Sequence, residues 1–413
     1  MEKFILYIYR AFYISVWLKG RIKLTQNRLK AIELFAGIGG FCLGMRAANI
    51  KTIWANDVSK LCCQVYQSNF GSSSIVLDDI NKINLLEIPE HDILTAGFPC
   101  QPFSQAGKKM GIRDRLRGTL FERIIEIIQA KKPKYFLLEN VKRILTMEKG
   151  YHFRIILNAL ASLDYFIEWR IINPINFSIP QNRDRIFIFG TCIKSTQKTL
   201  DLENLSVFLT DNDIQSLPWN ENSEIEQYMK AIIDFSSKNY HWGIAYQNQM
   251  YSQSLPLMAD IKPRQKLKDI LQYESEINPQ FYFTSETLER IKQSKAVNRY
   301  YNGVEILYNQ GGGARLGYTI FGINGVTSTL TSSTSRHYER YQVGNKFRRL
   351  TNIEYARLMG FPDNWCRVVK IYHQYALYGN SVVPDCVEWI CKRIGRQNFR
   401  FKPQTWQQLT LFS

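Results

Sequence analysis

The sequence predicts an α/β protein built on a mostly parallel sheet with helices on both faces. Three observations carry this. From about residue 30 to 190, short apolar runs alternate with helix-period segments, the pattern of strands joined by crossover helices. One run, Lys134 to Leu138, is apolar enough from Tyr135 onward to read as a buried strand. Hydrophobic residues make up 45% of 413, enough for a full core and two domains.

The elements follow in order. Lys30 to Phe35 reads as a strand and Gly40 to Ala48 as a helix, then Lys51 to Ala55 as a strand and Val58 to Asn69 as a helix. Ile75 to Leu77 and Asp92 to Ala96 are short strands, and Thr119 to Ala130 is a strongly amphipathic helix. Lys134 to Leu138 reads as a buried strand, Tyr151 to Leu163 as a helix, and Phe166 to Ile172 with Arg185 to Phe189 close the series. After Gly190 the pattern dissolves into a polar stretch, 191–335, whose length implies a smaller irregular domain or a set of binding loops. Order returns in 336–413, where Thr351 and Glu354 form a capping box and a last helix follows Asn380. Residues 1–29 are aromatic-rich but interrupted by Arg10 and closed by Lys19 and Arg21, too short to span a membrane. They read as an amphipathic packing helix or as the product of a mis-assigned start.

A formal charge of +17, from 53 Lys and Arg against 36 Asp and Glu, favours a polyanionic partner. Eight cysteines with no C-x-x-C pair fit neither a disulfide framework nor a zinc site, and no metal is expected. Reduced thiols point to the cytoplasm.

Several residues stand where such sheets do chemistry. Cys100 follows a strand that Pro99 must end, at the carboxyl edge where open α/β sheets bind ligands. The run from Phe35 through Gly37 and Gly39 to Gly40 joins the first strand to the first helix and would let a ligand approach the backbone. Asp57 and Asp79 end the second and third strands, and with that run they describe an adenosine-binding crevice. Glu139 ends a very apolar strand, where partial burial would raise its pKa. Arg183 and Arg185 are spaced to share a strand face and one anion or base. Each has a plain alternative when taken alone: a core cysteine, a tight turn, surface carboxylates and surface arginines.

Taken together, Phe35 to Gly40, Pro99-Cys100-Gln101, Glu139-Asn140-Val141, Gln181-x-Arg183-x-Arg185, the Arg348 to Pro362 block and Gly379 to Val383 occur in an order that resembles DNA (cytosine-5) methyltransferases of the bacterial restriction–modification type. The resemblance covers about residues 30–190 and 320–395. It implies a Rossmann-like, S-adenosylmethionine-dependent methyltransferase fold with a target-recognition domain over 191–335. Cys100 then matches the nucleophile that adds to C6 of a flipped-out cytosine, Glu139 the acid at N3, and Arg185 with Arg183 the side chains that hold the pyrimidine. Phe35, Gly37, Gly39, Gly40, Asp57, Asp79, Ile80, Leu120 and Asn380 match cofactor positions. Asn380 requires the last helix to fold back beside the first strand. Gln101, Ser104, Lys108, Lys109, Arg113 and Arg117 resemble the loop that closes over DNA, which here looks one residue longer than the family pattern. Arg315, Arg336 and Arg340 flank glycine-rich and hydroxyl-rich stretches expected to read duplex DNA. The resemblance also implies a monomer with no membrane association, paired functionally with a restriction endonuclease without a stable complex. Two other readings are methylation of a cytosine in transfer RNA, for which the expected Cys-Phe-Thr signature is missing between Gly190 and Arg348, and a catalytically silent DNA-binding relative, which the intact Cys100, Glu139 and Arg185 oppose.

Overall fold

The computed structural model describes residues 28–99, 119–193, 205–218, 225–232, 241–255, 258–311, 318–331 and 339–394. The first half is β1 Lys30–Leu34, α1 Gly40–Ala47, β2 Lys51–Asp57, α2 Lys60–Phe70, β3 Val76–Leu77, β4 Ile93–Gly97, α3 Leu120–Lys131, β5 Tyr135–Val141, α4 Tyr151–Ala161, β6 Tyr165–Ile172 and β7 Arg185–Cys192. The later elements are α5 Asp211–Ile214, β8 Lys230–Ala231, β9 Trp242–Tyr246, β10 Gln249–Gln253, α6 Ser285–Lys292, β11 Lys295–Tyr301, β12 Val304–Asn309, β13 Thr319–Phe321, β14 Arg340–Val343, β15 Lys346–Arg348, α7 Asn352–Leu358, α8 Ile371–Gly379 and α9 Pro384–Cys391.

The large sheet has the order β3-β2-β1-β4-β5-β7-β6-β9-β10-β8. The first five neighbours pair in parallel, and β7 turns antiparallel against β5. Strand alternation sends β5 into two cores. Phe136 and Leu138 pack with Ile124 and Ile128 of α3 and Phe153 and Ile156 of α4. Leu137 joins the opposite cluster with Phe41 and Met45 of α1 and Val387 and Ile390 of α9. Helices therefore cover both faces, and the central strands read as unbroken apolar runs because neither side meets water.

The last helix does fold back. At Gly40 an added Cβ would run into the Val382 carbonyl, and at Gly44 into that of Pro384, so these glycines let α1 and the start of α9 meet backbone to backbone. The helix after Asn380 begins later than the sequence suggests, at Pro384, because Pro384 fits the first helical turn and Asn380 instead ends α8.

The expected boundary at residue 190 is not where the second sheet starts. β9 pairs antiparallel with β6, and β10 and β8 continue the large sheet outward. The smaller sheet is β11-β12-β13-β14-β15, so residues 340–348, expected to return to the catalytic domain, belong to it instead. Glu168 of β6 holds the intervening chain. Its buried carboxylate accepts from Ser206 Oγ at 2.6 Å, Val207 N at 2.8 Å, Phe208 N at 3.3 Å and Trp242 Nε1 at 2.8 Å. A carboxylate in a core is tolerated when its lone pairs are satisfied in this way.

Candidate active site

The carboxyl ends of β4 and β5 and the amino end of the antiparallel β7 meet at Glu139. In register, Glu139 faces Gly97 of β4 on one side and Phe187 of β7 on the other. β5 runs on to Val141, so Glu139 lies within the strand rather than at its end. The Arg185 Nε lies 3.1 Å from Glu139 Oε1. A Cβ added at Gly97 would sit 3.5 Å from Glu139 Oε2, so any side chain there would crowd the carboxylate. Burial raises the Glu139 pKa, opposed by the charges of Arg185 and, secondarily, Arg183. Burial likewise lowers that of Arg185, against the neighbouring carboxylate. The pair thus combines a carboxyl that keeps its proton more readily than usual with a cation beside it.

Arg183 and Arg185 do not share a ligand. β7 begins at Arg185, so strand alternation does not reach back to Arg183. The Arg183 side chain is buried, donating from Nη1 to Leu330 O at 2.7 Å and from Nη2 to Gly379 O and Ser381 O, both at 2.9 Å. Asn140, next to Glu139, was assigned no role from sequence. Its Nδ2 donates to Phe98 O at 3.0 Å and pins the chain as it leaves β4 toward Cys100.

A second group of expected site residues lies at the carboxyl ends of the parallel pair β1 and β2. Phe35 takes a left-handed conformation with φ 53°, costly for a non-glycine residue and held by its surroundings, as Ala36 N bonds to Asn56 O at 2.9 Å. Gly37 (φ 56°) donates its N–H to Asp57 Oδ2 at 2.8 Å, and Ser59 N donates to Oδ1 at 2.7 Å. The Cβ position of Gly37 meets nothing within 4 Å, which leaves open space at the loop. Burial raises the Asp57 pKa against these hydrogen bonds. Asn56 Nδ2 donates to Val76 O and Asp78 O, fixing the loop that carries Asp79 and Ile80. Arg123 of α3 donates to Ile80 O at 3.1 Å and Ile83 O at 2.5 Å, which ties the first half of α3 to that loop. Two further residues escaped the sequence reading. Trp365 Nε1 donates to Ile38 O at 2.9 Å, and Val58 leaves 71% of its surface exposed beside Asp57. An indole needing a partner and an exposed aliphatic after a strand-end acid are weak signals in a bare sequence.

Residues 29–396 match the family model described as C-5 cytosine-specific DNA methylase. The chain belongs to that family. The methylase is 33% identical over 359 residues to the Type II methyltransferase M.NgoBI of Neisseria gonorrhoeae, covering 87% of this chain and 90% of that one. It is 30% identical over 378 residues to the Type II methyltransferase M.HhaI of Haemophilus parahaemolyticus, covering 91% and 96%. Its fold is similar to that of a methyltransferase from Entamoeba histolytica, with TM-score 0.57, 16% identity and coverage of 89% and 98%. A putative DNA modification methyltransferase encoded within a prophage of E. coli gives 0.54, 20%, 89% and 98%.

As a DNA cytosine-5 methyltransferase the protein uses S-adenosylmethionine. The residues at the ends of β1 and β2 fit that group. They offer an acid with a fixed orientation, an open glycine loop and an exposed apolar side chain, suited to ribose hydroxyls, a close-approaching chain and a flat base. Of the residues expected there, Gly37 donates to Asp57, Gly39 packs against Phe70, Gly40 packs against Val382, and Asn380 stands exposed on the segment packed against Gly40. Cys100, Gln101, Ser104, Lys108, Lys109, Arg113, Arg117, Arg315, Arg336 and residues 1–27 lie outside the described residues. Arg340 is described, paired with Gln310 and 6.0 Å from the Phe283 ring centroid. Among the described residues no helix is long and apolar enough to cross a membrane.

Proposed function

We propose that the methylase acts through Cys100 as nucleophile, Glu139 as acid and Arg185 as the clamp on the target pyrimidine. The observation that carries this is the buried Glu139–Arg185 pair, placed beside the strand that delivers residue 100. The Cys100 thiolate adds to C6, forming an S–C6 bond and shifting electron density toward N3. Glu139 gives its proton to N3, so the charge created by attack is neutralised as it forms. Burial suits the task, because it holds the carboxyl in its acid form to a higher pH than an exposed glutamate. Arg185 fixes Glu139 through the 3.1 Å contact, Nη1 donates to Asp184 O at 2.9 Å, and Nη2 is left for the ring. When bound, S-adenosylmethionine supplies an electrophilic methyl group. Loss of the C5 proton to solvent then restores the C5–C6 double bond and expels the thiolate, and N3 returns its proton to the Glu139 carboxylate. A duplex hides both faces of the base, so the cytosine must leave the stack to reach this edge.

In this reading the enzyme is a cytoplasmic monomer. It marks one short sequence and so protects it from a partner restriction endonuclease, with which it forms no stable complex. Its similarity to Type II methyltransferases supports this role.

The experiment is covalent trapping. Methylome sequencing of a host expressing the protein identifies the site, and a duplex carrying 5-fluorocytosine there is mixed with enzyme and S-adenosylmethionine. With no C5 proton to lose, the wild type should form a stable adduct and Cys100→Ser none, while the variant still binds the cofactor. Active wild type that leaves the fluorinated site unbound would overturn the assignment.

A further inference from the structure

We infer that Arg183 is a positioning residue that couples DNA reading to methyl-donor binding, and that it does not touch the base. Its fork divides between two parts of the molecule. Nη1 donates to Leu330 O, whereas Nη2 donates to Gly379 O and Ser381 O.

Leu330 ends a stretch that leaves the small sheet after β13 and is tied to the catalytic loop at every step. Thr327 N donates to Pro180 O and Asn182 N to Thr327 O, both at 2.8 Å. Thr329 Oγ1 donates to Asn182 O at 2.7 Å, and Leu330 N to Gln181 Oε1 at 2.9 Å. The hairpin between β11 and β12 reaches the same loop, where Asn182 Nδ2 donates to Asn302 O at 3.2 Å. Gly379 and Ser381 bracket Asn380, and the Ser381–Val382 stretch is the surface against which Gly40 packs. A displacement of Leu330 therefore pulls on a guanidinium whose other arm holds the segment packed against Gly40.

The chemistry of the side chain suits a coupling role. Three carbonyl acceptors with no carboxylate among them bind a planar fork in one geometry, whereas an ammonium could serve only one side at a time. Among the described residues the buried Nε of Arg183 has no hydrogen-bond partner, a cost the arrangement bears while both arms stay engaged. Arg185, two residues on, faces Glu139 instead. Loop 181–185 thus carries a coupling arginine and a base-facing arginine side by side.

The inference rests on the family's two ligands, DNA and S-adenosylmethionine, and not on the chemistry of Cys100, so a binding experiment separates them. Calorimetry with S-adenosylhomocysteine, alone and with a duplex bearing the site, gives the factor by which DNA tightens cofactor binding. Reciprocity requires the cofactor to tighten DNA binding by the same factor, on the order of 5- to 150-fold in coupled systems. Arg183→Lys should bring that factor below about 2 while cofactor affinity without DNA stays within about 3-fold of wild type. Wild-type coupling in the variant, or a wild type with no coupling, would overturn the inference. So would a single-turnover rate that collapses at saturating ligand with coupling intact, which would return Arg183 to the base. Should Arg183→Lys not fold, Thr329→Val removes a tie on the recognition side and leaves Arg183 in place. It should reduce the factor by half or more, and an unchanged factor there would equally refute the proposal.

Discussion

Glu33→Gln should flatten the pH dependence of stability. Glu33 lies in β1 with no exposed surface, and Tyr66 Oη donates to its Oε2 at 3.0 Å. Burial pushes its carboxyl up to about 8 from an ordinary 4.5, and the Tyr66 hydroxyl and the nearby amides of Phe41 and Cys42 offset only part of that. A group that binds its proton more tightly when folded contributes stability in full below its unfolded value. That contribution is lost as pH rises toward the folded one. The slope is about 1.4 kcal/mol per pH unit, so the loss between pH 4.5 and 8 approaches 5 kcal/mol. Glutamine does not titrate and lacks this term. Urea unfolding of both proteins at pH 5, 6, 7 and 8 should show the wild type losing ground to the variant at each step. Parallel profiles would mean that Glu33 is already ionised in the folded state, and the burial argument would fail.

Glu139→Gln keeps the size of the side chain but removes the proton it gives. Single-turnover methylation should slow by about 10²–10⁴, the range for a lost general acid, with cofactor affinity unchanged, and a near-normal rate would leave Glu139 a structural role only. Gly40→Ala drives a methyl group into Val382 and the Ser381 hydroxyl. Overpacking of this kind costs about 1–3 kcal/mol, so thermal unfolding should drop and S-adenosylhomocysteine titration should weaken together. A variant with unchanged melting would show that the segment after α8 moves aside freely.

The parallel half of the fold was legible because burial on both faces writes itself as apolar runs. β1, β2, β4, β5, β6 and β7 all form within a few residues of the expected positions. The capping box of Thr351 and Glu354 also forms as read, closed by the buried Arg348–Glu354 pair at 2.7 Å. β9 and β10 were not legible. They are five residues each, joined by a tight turn, and their polar neighbours masked the alternation. Within the site, motif order located Glu139 and Arg185, which face each other because their strands are neighbours. Spacing misled for Arg183, since the i, i+2 rule holds only inside a strand and β7 had not begun. Trp365, Asn140 and Asn182 act through backbone partners far away in sequence, and such contacts leave no local signature.

The extension of the large sheet by β9 and β10 bears on how enzymes of this architecture acquire new sequence preferences. A recombination event that exchanged everything after β7 would take Ser206, Val207, Phe208 and Trp242 with it. It would strand Glu168 in the core with none of its four donors, unless the incoming segment supplied them again. A crossover after Gln253 and another near Arg348 would instead carry the whole small sheet and leave that clasp intact. A segment that can be exchanged with the core intact is therefore shorter than the polar region of the sequence. Its upstream junction falls beyond the last strand of the large sheet, where a chimaera would keep the partners of Glu168.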